Sequence, residues 1–254
     1  MVKIAVFDSG LGSLSIIRAI QKSSKAEIIY FADQQNYPYG KKSQAQLRKI
    51  IYKSIKLIQK RFSPDILVVA SYTPSLMLNL STQKIIDVKP PLKYALKISK
   101  SKQIAILATE AAIKSRGLTQ YIKKNNFPKS FRIFKINGSE LVELVESGKF
   151  LTDKKYCKKI IKETLQPVLS QQYIDTIMLS STHLPFLKSL LKKEYPHIRF
   201  IDPGNIVAQK VCKKIKNKLS KRNSLKIFTS GDVKRFQKKL NKIGIKNKVG
   251  FLSI

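Results

Sequence analysis

Short apolar runs alternate with longer stretches of helical periodicity along most of the chain. IAVF (4–7), EIIYF (27–31), ILVVA (66–70), IAILA (104–108), FRIFKI (131–136), TIMLS (176–180), IRFID (198–202) and KIFTS (226–230) are rich in β-branched and aromatic side chains and read as strands. Lys-rich amphipathic helices are predicted between them. Apolar strands separated by helices of ten or more residues mark βαβ units with a mostly parallel, buried sheet. The predicted fold class is α/β. At roughly 150 residues per domain, 254 residues make one large or two small domains.

A weak internal echo favours two similar halves. ILVVA runs into Ser71-Tyr72-Thr73-Pro74, and TIMLS runs into Ser181-Thr182-His183-Leu184-Pro185. Open α/β sheets place ligands at strand carboxyl ends and helix N-termini, where these hydroxylated residues fall. Two such ends facing each other would form one interdomain site. The first strand ends likewise, in Asp8-Ser9-Gly10-Leu11-Gly12-Ser13, a turn able to wrap a carboxylate or phosphate with backbone N–H groups. Its glycine spacing is not G-x-G-x-x-G, so no dinucleotide is expected.

Composition narrows the function classes. With 43% hydrophobic residues the chain is not disordered, and no apolar run approaches the ~18 residues of a membrane helix. The N-terminus enters a strand-like stretch without a signal-peptide pattern. A cytoplasmic protein with no membrane partner is expected. Fifty Lys+Arg against 15 Asp+Glu give a formal charge of +35, a balance that favours anionic partners. The basic residues are nevertheless spread along the polar faces of helices. The densest stretches, Lys149–Lys162 and Lys210–Lys248, hold few aromatics and no nucleic-acid-binding motif, so a nucleic-acid partner is not expected. Cys157 and Cys212 lie in helical stretches far from any C-x-x-C spacing, and neither a disulfide framework nor a metal site is expected.

Six segments in order, covering about residues 3–240, carry a resemblance to glutamate racemase of the aspartate/glutamate racemase superfamily. They are VFDSGLGSLSIIRAI, YFADQQNYPYGKKS, ILATEAAIKS, LVELVESG, THLPFL, and FIDPGNIVAQKV with FTSGDVKRF. The resemblance implies two Rossmann-like parallel-sheet domains with the active-site cleft between them. The first would span residues 1–97 plus 208–254 and the second 98–207. It also implies a cofactor-independent racemase in which two cysteines, one on each face of the α-carbon, exchange roles as thiolate base and thiol acid. Family members often dimerise, so a homodimer is compatible with the resemblance.

The sequence departs from that pattern where the chemistry is done. Ser71 stands at the first catalytic cysteine of an A-C-N-T motif and is followed by Tyr72 instead of Asn. Ser181 stands at the second, in a G-C-T-H motif, with Ser180 instead of Gly before it. Asp8 matches the carboxylate beside the first cysteine, His183 the histidine beside the second, and Glu146 a glutamate that supports the histidine. Ser9, Tyr39, Gly40, Thr73 and Thr182 match positions that hold the amino acid, and Tyr72 replaces a small amide that touches it. Ala112 replaces a threonine. A thiol of reference pKa about 8.5 supplies thiolate near neutrality, whereas a serine hydroxyl needs a partner to take its proton. An acidic amino acid, glutamate or one similar, is therefore the expected ligand, with racemisation in doubt. The alternatives are a non-catalytic binding or regulatory protein, and a hydrolase or lyase with Ser181 or Ser71 as nucleophile. Bland readings compete with each assignment: Asp8 and Ser9 as caps, Pro38-Tyr39-Gly40 as a plain turn, His183 as a structural histidine at a helix entrance.

Overall fold

The computed structural model describes residues 2–215 and 222–254. Residues 216–221, inside the second basic stretch, lie outside the described residues. The chain divides into two compact units, Met1–Val88 with Gly204–Ile254, and Lys89–Pro203.

The first unit holds β1 (Lys3–Asp8), β2 (Glu27–Ala32), β3 (Ile66–Val69) and β4 (Ile85–Asp87). The second holds β5 (Gln103–Ala108), β6 (Arg132–Asn137), β7 (Thr176–Leu179) and β8 (Arg199–Ile201). β9 (Ser224–Thr229) and β10 (Val249–Phe251) return to the first. The eight runs read from the sequence are all strands; β4 and β10 are additional. The first sheet has the order β10-β9-β2-β1-β3-β4 and the second β6-β5-β7-β8, with every pairing parallel. The second order repeats the segment β2-β1-β3-β4 of the first. Ser71 after β3 and Ser181 after β7 therefore occupy equivalent places in two copies of one topology.

Burial on both faces explains why the central strands are apolar throughout: every residue of β2 and β3 is buried. The helix Gln44–Phe62 shows how a covering element is specified. Ser43 and Gln46 form a reciprocal capping box at its start, and Ser63 ends it in the left-handed region at φ 46°. Leu47, Ile51, Ile55 and Ile58, spaced by three or four, form its buried stripe against Phe7, Ile29, Leu67 and Val69. In the second unit a separate core joins Leu107, Ile136, Leu144, Ile161, Leu179 and Leu187. Cys157 lies in that core on the helix Lys154–Leu169, and burial, then the Asp153 charge, pushes its thiol pKa up. Cys212 lies on the helix Gly204–Ile215. Neither thiol is at a strand end.

Asp175 ties together the segment that feeds β5. Its carboxylate accepts from Ser99 Oγ (2.7 Å), Lys100 N (2.6 Å) and Ser101 N (3.0 Å). Partial burial raises its pKa, but these donors outweigh burial and leave it below the usual value. A depressed carboxyl stabilises the fold above its unfolded pKa, and that contribution is lost as pH falls through the folded pKa. Asp175→Asn is expected to cost about 1–2 kcal/mol at pH 7. Urea midpoints at pH 7 and pH 3 should show the gap from the unaltered chain narrowing at the acid end.

Candidate functional site

In the first unit β1 and β3 are neighbours in register, Phe7 opposite Val69, and Ala70 N donates to Phe7 O at 2.8 Å. The chain leaves both strands at one level, and strand order reverses there, since β2 lies on one side of β1 and β3 on the other. Such a reversal opens a crevice at the carboxyl ends of the strands. Asp8, Ser9 and Ser71 emerge at this point, and Tyr72 and Thr73 open the helix Tyr72–Leu78.

The hydroxyls there are not spent on local structure. Ser71 is the N-cap of its helix, yet its side chain makes no capping bond. Among the described residues the Ser9, Ser71 and Thr73 hydroxyls have no hydrogen-bond partner, and each residue keeps a small exposure of 5%, 8% and 7%. Unlike the unbonded hydroxyls of Ser13, Thr176 and Ser224, which are sealed from solvent, these three sit together at the strand ends with some access, and a hydroxyl on the open surface would be far more exposed. Asp8 is 2% exposed and accepts from the Ser9 amide at 2.7 Å, which orients its carboxylate. Tyr72 is buried, as a bulky ring next to Ser71 requires.

Tyr39 and Gly40 belong to a short 3-10 turn, Tyr39–Lys41, that follows a cis Tyr37–Pro38 peptide. The Tyr39 ring packs in the first unit's core, and its phenol donates to Asp33 Oδ2 at 2.8 Å. Burial, then the Asp33 and Asp8 charges and the bond to Asp33, hold its pKa well above the ordinary value, so it stays a neutral donor. The phenol is thus committed inward. Asp33 lies within the segment YFADQQNYPYGKKS but was not singled out as a site residue.

The second unit repeats the strand-end arrangement. β5 and β7 are in register, Leu107 opposite Leu179, and Ser180 N donates to Leu107 O at 2.8 Å. Ser181, Thr182 and His183 follow, all buried, and lead into the 3-10 turn Leu184–Leu187. His183 does not cap that turn; its Nε2 lies 3.0 Å from Glu146 Oε2, with both residues nearly inaccessible. Glu146 ends the helix Ser139–Glu146. That helix starts close to β5: Gly138 N donates to Ala108 O, and a Cβ at Gly138 would lie 3.0 Å from Leu107 Cδ1. The structure thus brings Glu146 and His183 together as a pair. It does not extend the pair to Ser181, whose hydroxyl, 7% exposed at the residue level, has no partner among the described residues. Nor is Ser71 Oγ bonded to Asp8. Ala112 lies buried in the short helix Glu110–Lys114. His197 is exposed beside Pro196.

Among the described residues no group of three His, Cys, Asp or Glu side chains could hold a metal ion, and no helix is long and apolar enough to cross a membrane.

No family model matches the sequence. The chain is 32% identical over 244 residues to a glutamate racemase of Persephonella marina, covering 93% of this chain and 91% of that protein. It is 32% identical over 228 residues to the glutamate racemase of Buchnera aphidicola subsp. Schizaphis graminum, covering 87% and 88%. Among solved structures it matches a glutamate racemase isoform of Bacillus anthracis with a TM-score of 0.86 at 25% identity, over 100% of this chain and 98% of that one. Escherichia coli glutamate racemase, solved with L-glutamate and the activator UDP-MurNAc-ala, shares the fold at a TM-score of 0.83, covering 99% and 98% at 24% identity. Both the ordered strand-end motifs and the full-length likeness place the chain in one group: it belongs to the glutamate racemase family.

Proposed function

We propose that the chain binds glutamate or a closely similar acidic amino acid, and that it exchanges the ligand's α-proton far more slowly than a cysteine pair would. The observation that carries this reading is the set of unpartnered hydroxyls at the strand ends, Ser9, Ser71 and Thr73 in the first unit and Ser181 in the second. Unbonded hydroxyls gathered at the carboxyl ends of parallel strands and still open to solvent suit a ligand that supplies their partners. The main-chain amides of Tyr39 and Gly40 add donors that suit a carboxylate. Removal of an α-proton, however, requires a base with a pKa near the working pH. Among the described residues neither serine hydroxyl is hydrogen-bonded to a base that could take its proton, so neither is set up as an alkoxide. The same geometry disfavours a serine hydrolase, in which the nucleophile must contact its base.

Calorimetry with L- and D-glutamate and L- and D-aspartate tests the binding. Saturable binding of at least one is expected, weakened by about tenfold or more in Ser9→Ala or Thr73→Val, the worth of one hydrogen bond to a charged ligand. In D2O the α-proton signal should persist at rates near those of a Ser71→Ala/Ser181→Ala control. Absence of binding across the panel would overturn the reading.

A further inference from the structure

The Asp33 carboxylate is wholly buried, and all its donors are neutral. Oδ1 accepts from Asn36 Nδ2 (2.9 Å) and Ser230 Oγ (3.0 Å), and Oδ2 from Asn36 Nδ2 (3.0 Å) and Tyr39 OH (2.8 Å). Burying an ionised carboxylate without a cation is expensive, and the donors only partly offset it: burial keeps the Asp33 pKa above the ordinary value. What a carboxylate provides is two oxygens that can each take two donors at once, and here the donors come from separate segments.

Those segments are the end of β2, the turn bearing Tyr39, and the residues after β9. Ser230 is 197 residues beyond Asp33 in the chain; its hydroxyl donates to Asp33 and accepts from Gln35 N at 3.1 Å. Ser230 N in turn donates to Ala32 O at 3.1 Å, and Asp33 N donates to Asp8 O at 2.8 Å. The return segment also runs too close for a side chain at Gly231, where a Cβ would stand 2.8 Å from the Gln34 Cβ. The turn is held from the Asp33 carboxylate on one side and from Ser230 on the other.

We infer that Asp33 is a positioning residue, which locks the Tyr39 phenol and the Ser230 hydroxyl onto one carboxylate so that the C-terminal return segment sets the turn presenting Tyr39 and Gly40 to the amino acid. The inference rests on the reading that this turn holds the ligand, but it has a readout of its own. Asp33→Asn keeps the shape but turns one of the two accepting oxygens into an NH2 donor, so the side chain can no longer accept on both atoms.

Amide hydrogen exchange on the full chain should show residues 34–43 and 229–232 exchanging together about tenfold faster in Asp33→Asn. Tyr39→Phe should loosen 34–43 similarly and add little in the Asp33→Asn background. Ser230→Ala, a milder change that keeps the chain folded if Asp33→Asn does not, should loosen 34–43 as well as its own segment. Unchanged exchange at 34–43 in Ser230→Ala, or additive effects of Asp33→Asn and Tyr39→Phe, would overturn the inference. L-Glutamate calorimetry, at denaturant-free conditions where each variant is folded, should show about tenfold weaker binding in Asp33→Asn. Unchanged affinity would also overturn it, since a merely structural residue lowers stability without moving the affinity of the folded form. If the unaltered chain binds no glutamate, the functional reading fails, and exchange alone still decides the role of Asp33.

Discussion

Replacing Ser71 and Ser181 together by cysteine is expected to raise α-proton exchange of glutamate in D2O by about 10²–10⁴-fold over the unaltered chain, the usual worth of a positioned acid–base group. At pH 8 a thiol with the reference pKa of about 8.5 is roughly one quarter thiolate, whereas a hydroxyl with no base in contact supplies almost no alkoxide. The structure tolerates the change. Ser71 makes no capping bond to its helix, and the Ser181 hydroxyl is likewise unbonded, so neither substitution removes an internal interaction. Each single variant should gain less than the double variant, because it restores one thiol only. NMR of the α-proton with each enantiomer checks all three variants. A double variant that binds glutamate and exchanges nothing would show that the lesion lies elsewhere, with the buried Tyr72 ring as the next candidate.

The central strands were legible because burial on both faces leaves no polar position to blur the pattern, and the edge strands β6 and β8 because their runs, FRIFKI and IRFID, are still mostly apolar. β4 and β10 escaped because each offers only two apolar residues: β4 reads Ile85-Ile86-Asp87, and Gly250 interrupts Val249–Phe251. The strand-end residues were legible because parallel sheets deliver ligands there, and the two copies of the topology explain why Ser71 and Ser181 echo one another in the sequence. Asp33 was not legible: no local pattern distinguishes a buried carboxylate from a turn aspartate, and its partner Ser230 lies in another part of the chain. The pairing of Glu146 with His183, 37 residues apart, came from family resemblance alone, and helix Ser139–Glu146 shows what makes it physical. Five apolar or acidic positions of that helix are buried, so its last residue is carried inward instead of to solvent.

That pair carries the other large expected effect. Glu146→Leu should lower stability by about 1–3 kcal/mol, because His183 Nε2 loses its 3.0 Å partner in a place nearly closed to water. His183→Leu should cost a similar amount, because the Glu146 carboxylate loses its 3.0 Å contact with the ring. The double variant should nevertheless lie close to the unaltered chain, since two apolar groups of comparable size remove the desolvation cost together with the bond. Urea unfolding of the four proteins closes the cycle, and purely additive losses would show that the two side chains do not act as a pair. The outcome also separates two roles for the histidine. If the double variant is stable and still binds glutamate, the pair shapes the Ser181–His183 turn without touching the ligand. If stability returns while binding is lost, the ring is part of the ligand's surroundings, and the carboxylate behind it serves to fix which way the ring presents its other nitrogen.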